Sequence, residues 1–97
     1  MTCADVMKVL SDDTRFAVIK LLLEGPRQVH EINAELNVEP TLLSHHLRSL
    51  REAGLVVSTR DGKALIYELA PGIAQSGRRR RLNFGCCELR FPRTSRK

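Results

Sequence analysis

The chain has 97 residues, room for one domain, and a domain of this size buries only about 60 to 70% of the surface that its unfolded chain exposes. Hydrophobic residues make up 42% but aromatics only 4%, with no tryptophan, so the core must come from Leu, Ile, Val and Ala, and a second copy of the chain would help to cover it. The net charge of +5 sits at the end: from Arg78 onward there are eight Lys or Arg and one acid, Glu88, whereas residues 1 to 77 are net −2, so basicity alone is no argument for nucleic acid. No run approaches the roughly 18 apolar residues of a membrane span and the start lacks a signal core, so no membrane is expected as a partner and the expected compartment is the cytoplasm. Three cysteines, an odd number with no export signal, fit reduced thiols better than a disulfide framework.

Along the chain, Ala4 to Leu10 places Val6, Val9 and Leu10 at helical spacing and stops at the capping cluster Ser11-Asp12-Asp13. A second helix, Thr14 to Glu24, carries Phe16, Ile19, Leu22 and Leu23 at three- and four-residue steps and ends at Gly25-Pro26. Val29 to Leu36 is a short third helix, and Asn37-Val38-Glu39 a tight turn. Pro40 then opens a fourth helix to Ala53, whose buried stripe is Leu43, Leu47 and Leu50 and whose cap is Gly54. Leu55 to Arg60 and Lys63 to Leu69 are β-forming runs around Asp61-Gly62, a hairpin turn dipeptide. Gly72 to Phe84 is the candidate fifth helix, although Gly77 interrupts it and four arginines crowd its end. Cys86 to Phe91 reads as a short strand with Cys87, Leu89 and Phe91 on one side, and Pro92 to Lys97 as a solvated tail.

The pattern predicts a mainly α fold with a small β-hairpin wing (α+β), a winged helix-turn-helix of four to five helices. Residues 1–77 would form the DNA-binding domain and 78–97 a basic segment with a short Cys-containing strand. At 100° per residue, the face of the fourth helix opposite its leucines carries Thr41, His45, Arg48 and Glu52, flanked by Ser44 and Ser49. Hydroxyls, an imidazole and a guanidinium suit phosphates and base edges of the major groove, while Arg60 and Lys63 at the hairpin tip suit phosphate or the adjacent minor groove. A polar outer face is common to any surface helix. The unbroken order of helix, turn, helix, Gly break and Asp-Gly hairpin is what favours DNA.

Val9-Leu10-Ser11-Asp12-Asp13-Thr14-Arg15-Phe16 and Leu43-Ser44-His45-His46-Leu47-Arg48-Ser49-Leu50-Arg51-Glu52-Ala53-Gly54-Leu55-Val56 resemble the ArsR/SmtB family of repressors, over roughly residues 4 to 70. The resemblance implies a homodimer joined through its first and last helices, an operator of double-stranded DNA with two half-sites, and release when an inducer binds or a thiol is oxidised. It makes Ser44 and His45 the main DNA-contacting positions and His46 a recurrent histidine packing beside Leu47. Family members often carry Gln, and Thr or Ala, where this chain has Pro40 and Leu42. Leu42 is open between a thymine methyl contact and a core position.

The family's Cys-Val-Cys metal box corresponds here to Gln28, Val29 and His30, and residues 70 to 85 contain no acid or His for the zinc site of the last helix. There remain Cys3, Cys86 and Cys87, which the family dimer would bring together. Three readings stand: a site for As(III) or another thiophilic metal ion, an oxidisable thiol, or structural cysteines with Cys87 a small core hydrophobe. Arg78 to Arg81 reads as a solvated charge run before it reads as a phosphate site. An enzyme is not indicated: Ser44 and His46 share one helix with no third group to orient a base, there is no Gly-rich phosphate loop, and no small-molecule substrate is expected. The rival reading is a winged-helix module that binds protein and senses no metal.

Overall fold

A computed structural model describes residues 2–73 and 81–90 of the chain. Four helices come first, α1 (Cys3–Leu10), α2 (Asp13–Leu22), α3 (Val29–Leu36) and α4 (Pro40–Glu52), with a two-residue strand β1 (Arg27–Gln28) between α2 and α3. The hairpin strands β2 (Val56–Asp61) and β3 (Ala64–Leu69) follow, and then a second, smaller hairpin, β4 (Arg81–Asn83) and β5 (Glu88–Arg90). No helix among the described residues is long and apolar enough to cross a membrane.

Each helix start has a local cause. Thr2 and Asp5 form a reciprocal capping box on α1, and the Asp12 carboxylate accepts from the Arg15 N–H to start α2. Pro40 occupies the first turn of α4, where a missing N–H costs nothing. The leucines spaced along α4 then bury one stripe: Leu43, Leu47 and Leu50 join Val18, Ile19, Leu22 and Ile32 in one core.

The three-stranded sheet has the order β1-β3-β2, antiparallel throughout, with Val56 opposite Leu69 and Asp61 opposite Ala64. Gly62 at the hairpin tip has φ +65°, a conformation that L side chains rarely adopt. β1 was not legible in the sequence. It pairs Arg27 with Tyr67 and Gln28 with Ile66, covering the outer edge of β3.

The fifth helix expected over Gly72 to Phe84 is corrected at its two ends, while its middle, 74–80, lies outside the described residues. Pro71–Ile73 is turn and Arg81–Asn83 is strand, with the Asn83 N–H donating to the Ile73 carbonyl at 2.8 Å. The strand wins because Leu82 alone points inward, fully buried, between half-buried Arg81 and Asn83, a period of two rather than 3.6. Leu82 lies opposite Leu89, and Glu88 reaches both Arg81 (3.7 Å) and Arg90 (3.6 Å), whose like charges face each other across the hairpin. The expected strand over Cys86 to Phe91 is present as Glu88–Arg90. Its alternation holds as far as it is described, with Cys87 and Leu89 half-buried and Cys86, Glu88 and Arg90 exposed. Gly77, Arg78, Arg79, Arg80, Phe91 and the tail lie outside the described residues.

Because Leu82 sits in the same core as α1 and α4, Leu82→Ala is expected to lower unfolding free energy by about 3 kcal/mol in a denaturant melt, as a cavity in a closed core does. A loss under about 0.5 kcal/mol would mean that the second hairpin adds nothing to that core.

Candidate nucleic-acid interface

The turn between α3 and α4 is built by asparagines. Asn37 adopts φ +53°, ψ +51° and closes α3 by donating its N–H to the Asn33 carbonyl at 2.7 Å, while the Asn33 side-chain amide donates to the Val38 carbonyl. Glu39 then caps α4, its carboxylate accepting from the Leu42 N–H at 2.9 Å. That backbone bond, then a second from Thr41, hold the Glu39 carboxyl below the usual range, with His45 adding a smaller pull. This cap is the residue just before Pro40, in the turn expected over Asn37-Val38-Glu39.

With its leucines inward, α4 turns the opposite face to solvent: Thr41, Ser44, His45 and Arg48 are exposed and Ser49 is half-buried. Arg48 is not a bare cation. Its Nε lies 3.1 Å from the Glu52 carboxylate one turn on, both side chains being about two-thirds exposed. Such an exposed pair is worth little, so a phosphate could compete for the guanidinium. Arg60 and Lys63 are exposed at the hairpin tip. A cleft of about 450 Å³ is lined by Pro40, Leu43 and Ser44 of α4, by Lys63 and the start of β3, and by the start of α3 from Gln28 to Asn33. The α3–α4 pair and the hairpin thus share one cleft.

Two contacts set how α4 lies. Near its end, Arg51 Nη1 donates to the buried Tyr67 hydroxyl on β3 at 2.8 Å. In its middle, His46 faces away from the exposed side: Arg15 Nη1 is 3.3 Å from His46 Nδ1, and Arg15 Nε donates to the Val9 carbonyl at the end of α1 at 2.6 Å. A guanidinium has only donors, so the first contact is a hydrogen bond when Nδ1 carries the lone pair. Asp12 Oδ1 lies 3.8 Å from the same nitrogen. Its carboxyl is held below the usual range, first of all by the Arg15 N–H bond.

Away from this face, the described residues hold one group of three metal-capable side chains, Cys3, Cys86 and Cys87, whose sulfurs lie within 4.8 Å of one another. They meet within a single chain, without a dimer. The expectation of three reduced thiols is corrected: Cys3 and Cys86 are joined by a disulfide across 83 residues of sequence, and Cys87 is the free thiol, its Sγ 3.0 Å from Cys3 Sγ and 3.9 Å from Cys86 Sγ. The reason is packing. The β4–β5 hairpin is drawn onto the core by Leu82 and Leu89, bringing its turn to the start of α1. At Gln28 and His30 the side chains bond to each other at 2.8 Å, and Glu31 caps the Gln28 N–H.

A helix pair joined by a tight turn, its second helix showing a polar face next to a β-hairpin, defines a winged helix-turn-helix. The family model described as "Bacterial regulatory protein, arsR family" matches residues 12–58. The transcriptional repressor SdpR of Bacillus subtilis is 31% identical over 80 residues, 82% of this chain and 89% of that protein. The HTH-type transcriptional regulator Rv0081 of Mycobacterium tuberculosis is 39% identical over 74 residues, 74% of this chain and 65% of that protein, so the chain spans just under two thirds of this relative's length. The crystal structure of Rv0081 superposes with a TM-score of 0.67 at 38% identity, covering 69% of this chain and 68% of that one. A solution structure of the homodimeric winged helix-turn-helix DNA-binding domain Mb0332 from Mycobacterium bovis superposes with a TM-score of 0.65 at 33% identity, over 69% and 62% of the two chains. The chain belongs to the arsR family, the ArsR/SmtB regulators, a family of transcriptional regulators and not of enzymes.

The capping carboxylates make a testable acid response. A carboxyl whose folded pKa is depressed stabilises the fold above its unfolded pKa and loses that contribution as pH falls through the folded value. For Asp5, Asp12 and Glu39 the loss therefore falls below about pH 4. In thermal melts from pH 6 to pH 2, Asp12→Asn should keep the α2 cap yet flatten the acid limb, whereas Asp12→Ala should lose about 1 kcal/mol at pH 7. Identical acid limbs in wild type and Asp12→Asn would rule out this role for Asp12.

Proposed function

We propose that the chain is a sequence-specific DNA-binding transcriptional repressor that acts as a homodimer on double-stranded operator DNA in the cytoplasm, with release governed by its three sulfurs. The observation that carries the DNA reading is the α4 face. Thr41, Ser44, His45, Arg48 and Ser49 lie opposite a leucine stripe, with Arg60 and Lys63 on the neighbouring wing. The helix would enter the major groove and read base edges through Ser44 and His45, while Arg48, Arg60 and Lys63 meet phosphates or the adjacent minor groove. Dimerisation is supported by the homodimeric M. bovis neighbour, and repression by the name of the B. subtilis relative.

The sulfur cluster supplies the signal. Reduced, Cys3, Cys86 and Cys87 offer three soft ligands to As(III) or another thiophilic ion. Oxidised, Cys3 and Cys86 give up two electrons and two protons to a two-electron oxidant and form the disulfide, which removes two of those ligands. Contacts lead from there to the reading helix. Cys3 begins α1, the Val9 carbonyl near its end takes Arg15, and Arg15 reaches His46 on α4.

A gel-shift titration on the chain's own promoter DNA, with protein reduced, oxidised, or reduced plus arsenite, tests both parts. Salt-dependent binding by the reduced protein, weakened at least tenfold by oxidant or arsenite, is expected. Binding that ignores both agents would leave a repressor with structural cysteines, and no duplex binding at all would refute the DNA reading. Within the same assay, His45→Ala should weaken specific binding about tenfold. Glu52→Gln, which removes an anion from the DNA-facing side and frees Arg48, should tighten it severalfold at low salt.

A further inference from the structure

Leu42 is 47% exposed, and among the described residues the only other large apolar side chain so exposed is Met7, on α1. A single exposed leucine is ordinary on a protein surface, and position is what singles this one out. It lies in the first turn of α4, next to Thr41 and one turn before His45, both exposed, and its N–H is held by the Glu39 carboxylate at 2.9 Å. Of the two roles that the sequence leaves open for Leu42, the core is excluded by this exposure, whereas the adjacent Leu43 of the buried stripe is 1% exposed. One turn away along the helix stand Glu39, His45 and His46, and no other large apolar side chain of α4 is as exposed, so Leu42 is not part of an apolar patch large enough for a protein partner.

The N-terminal residues of a reading helix are the ones that approach base edges. Thr41, Ser44 and His45 have donors and acceptors for that purpose, and Leu42 has none. Among the groups displayed in the major groove, the one apolar group is the C5-methyl of thymine. We propose that Leu42 is a specificity-determining residue that packs on the methyl of one thymine in each operator half-site. This rests on the DNA reading above and adds a base preference to it.

The test begins with duplexes that the wild-type protein selects from a random-sequence pool. Each thymine of the selected half-site is then replaced by deoxyuridine, which removes only the methyl. Wild type is expected to lose about fourfold in affinity at one position per half-site, the size of one buried methyl. Leu42→Ala should bind the thymine duplex about fourfold or more weakly and no longer distinguish thymine from deoxyuridine there. Leu42→Met should keep the distinction. The dependence on salt should be the same for all three, because no phosphate contact changes. Thermal melts of the variants check that each is folded, which half-exposure of the side chain favours.

If Leu42→Ala retains the full deoxyuridine penalty, or the selected half-site holds no thymine, Leu42 does not read a methyl, and specific binding by wild type leaves the DNA reading intact. If wild type selects no common sequence, the DNA reading itself fails and the assignment of Leu42 falls with it.

Discussion

The rotation of α4 about its own axis is the constraint on which the site depends. Leu43, Leu47 and Leu50 are spaced to form one stripe, and that stripe is buried to 2% exposure or less in the core that α4 shares with α2 and β2. Removing even one of them would open a cavity costing about 2 to 5 kcal/mol, a large share of what a domain this small has. The helix therefore cannot roll to offer a different face. Thr41, Ser44, His45 and Arg48 point outward because the leucines point inward.

Rotation alone would still leave the helix free to tilt. Arg51 on Tyr67 fixes its C-terminal end to the three-stranded sheet, and His46 on Arg15 fixes its middle to the α1–α2 corner. Both partners come from segments far away in sequence, and Tyr67 lies on the strand that also carries the wing. The wing and α4 are therefore held in register with each other, and both line the cleft that holds Ser44 and Lys63. The Arg48–Glu52 pair works differently. It is exposed and weak, and it tempers the positive charge of the face without setting its geometry.

The second hairpin has a disproportionate effect for its six strand residues. It places Leu82 in the core and Cys86 and Cys87 at the start of α1, so the beginning and end of the described chain meet. A bond between Cys3 and Cys86 closes a loop over nearly the whole domain, and in the chain-entropy account such long loops restrict the unfolded state most.

What could be read from the sequence alone is local and periodic. The four helices, the turn at Asn37, the Asp61-Gly62 hairpin and the outward side of α4 follow from 3.6-residue spacing, capping residues and turn dipeptides, all of which act within a few residues of each other. The cap at Glu39 and the ion pair at Arg48 are equally local, and lay within reach of the same reasoning. The rest was decided by packing over distance. β1 is two residues long and exists only because β3 has an open edge to pair with. Residues 81–83 are a strand and not a helix because the core had room for one leucine and a partner strand for their backbone. Cys3 and Cys86 are neighbours because the hairpin folds back, and Arg15 meets His46 because α2 crosses α4. No propensity records such meetings, since all but the short β4–β5 pairing are between groups that chain order keeps more than 30 residues apart and only the buried core brings together.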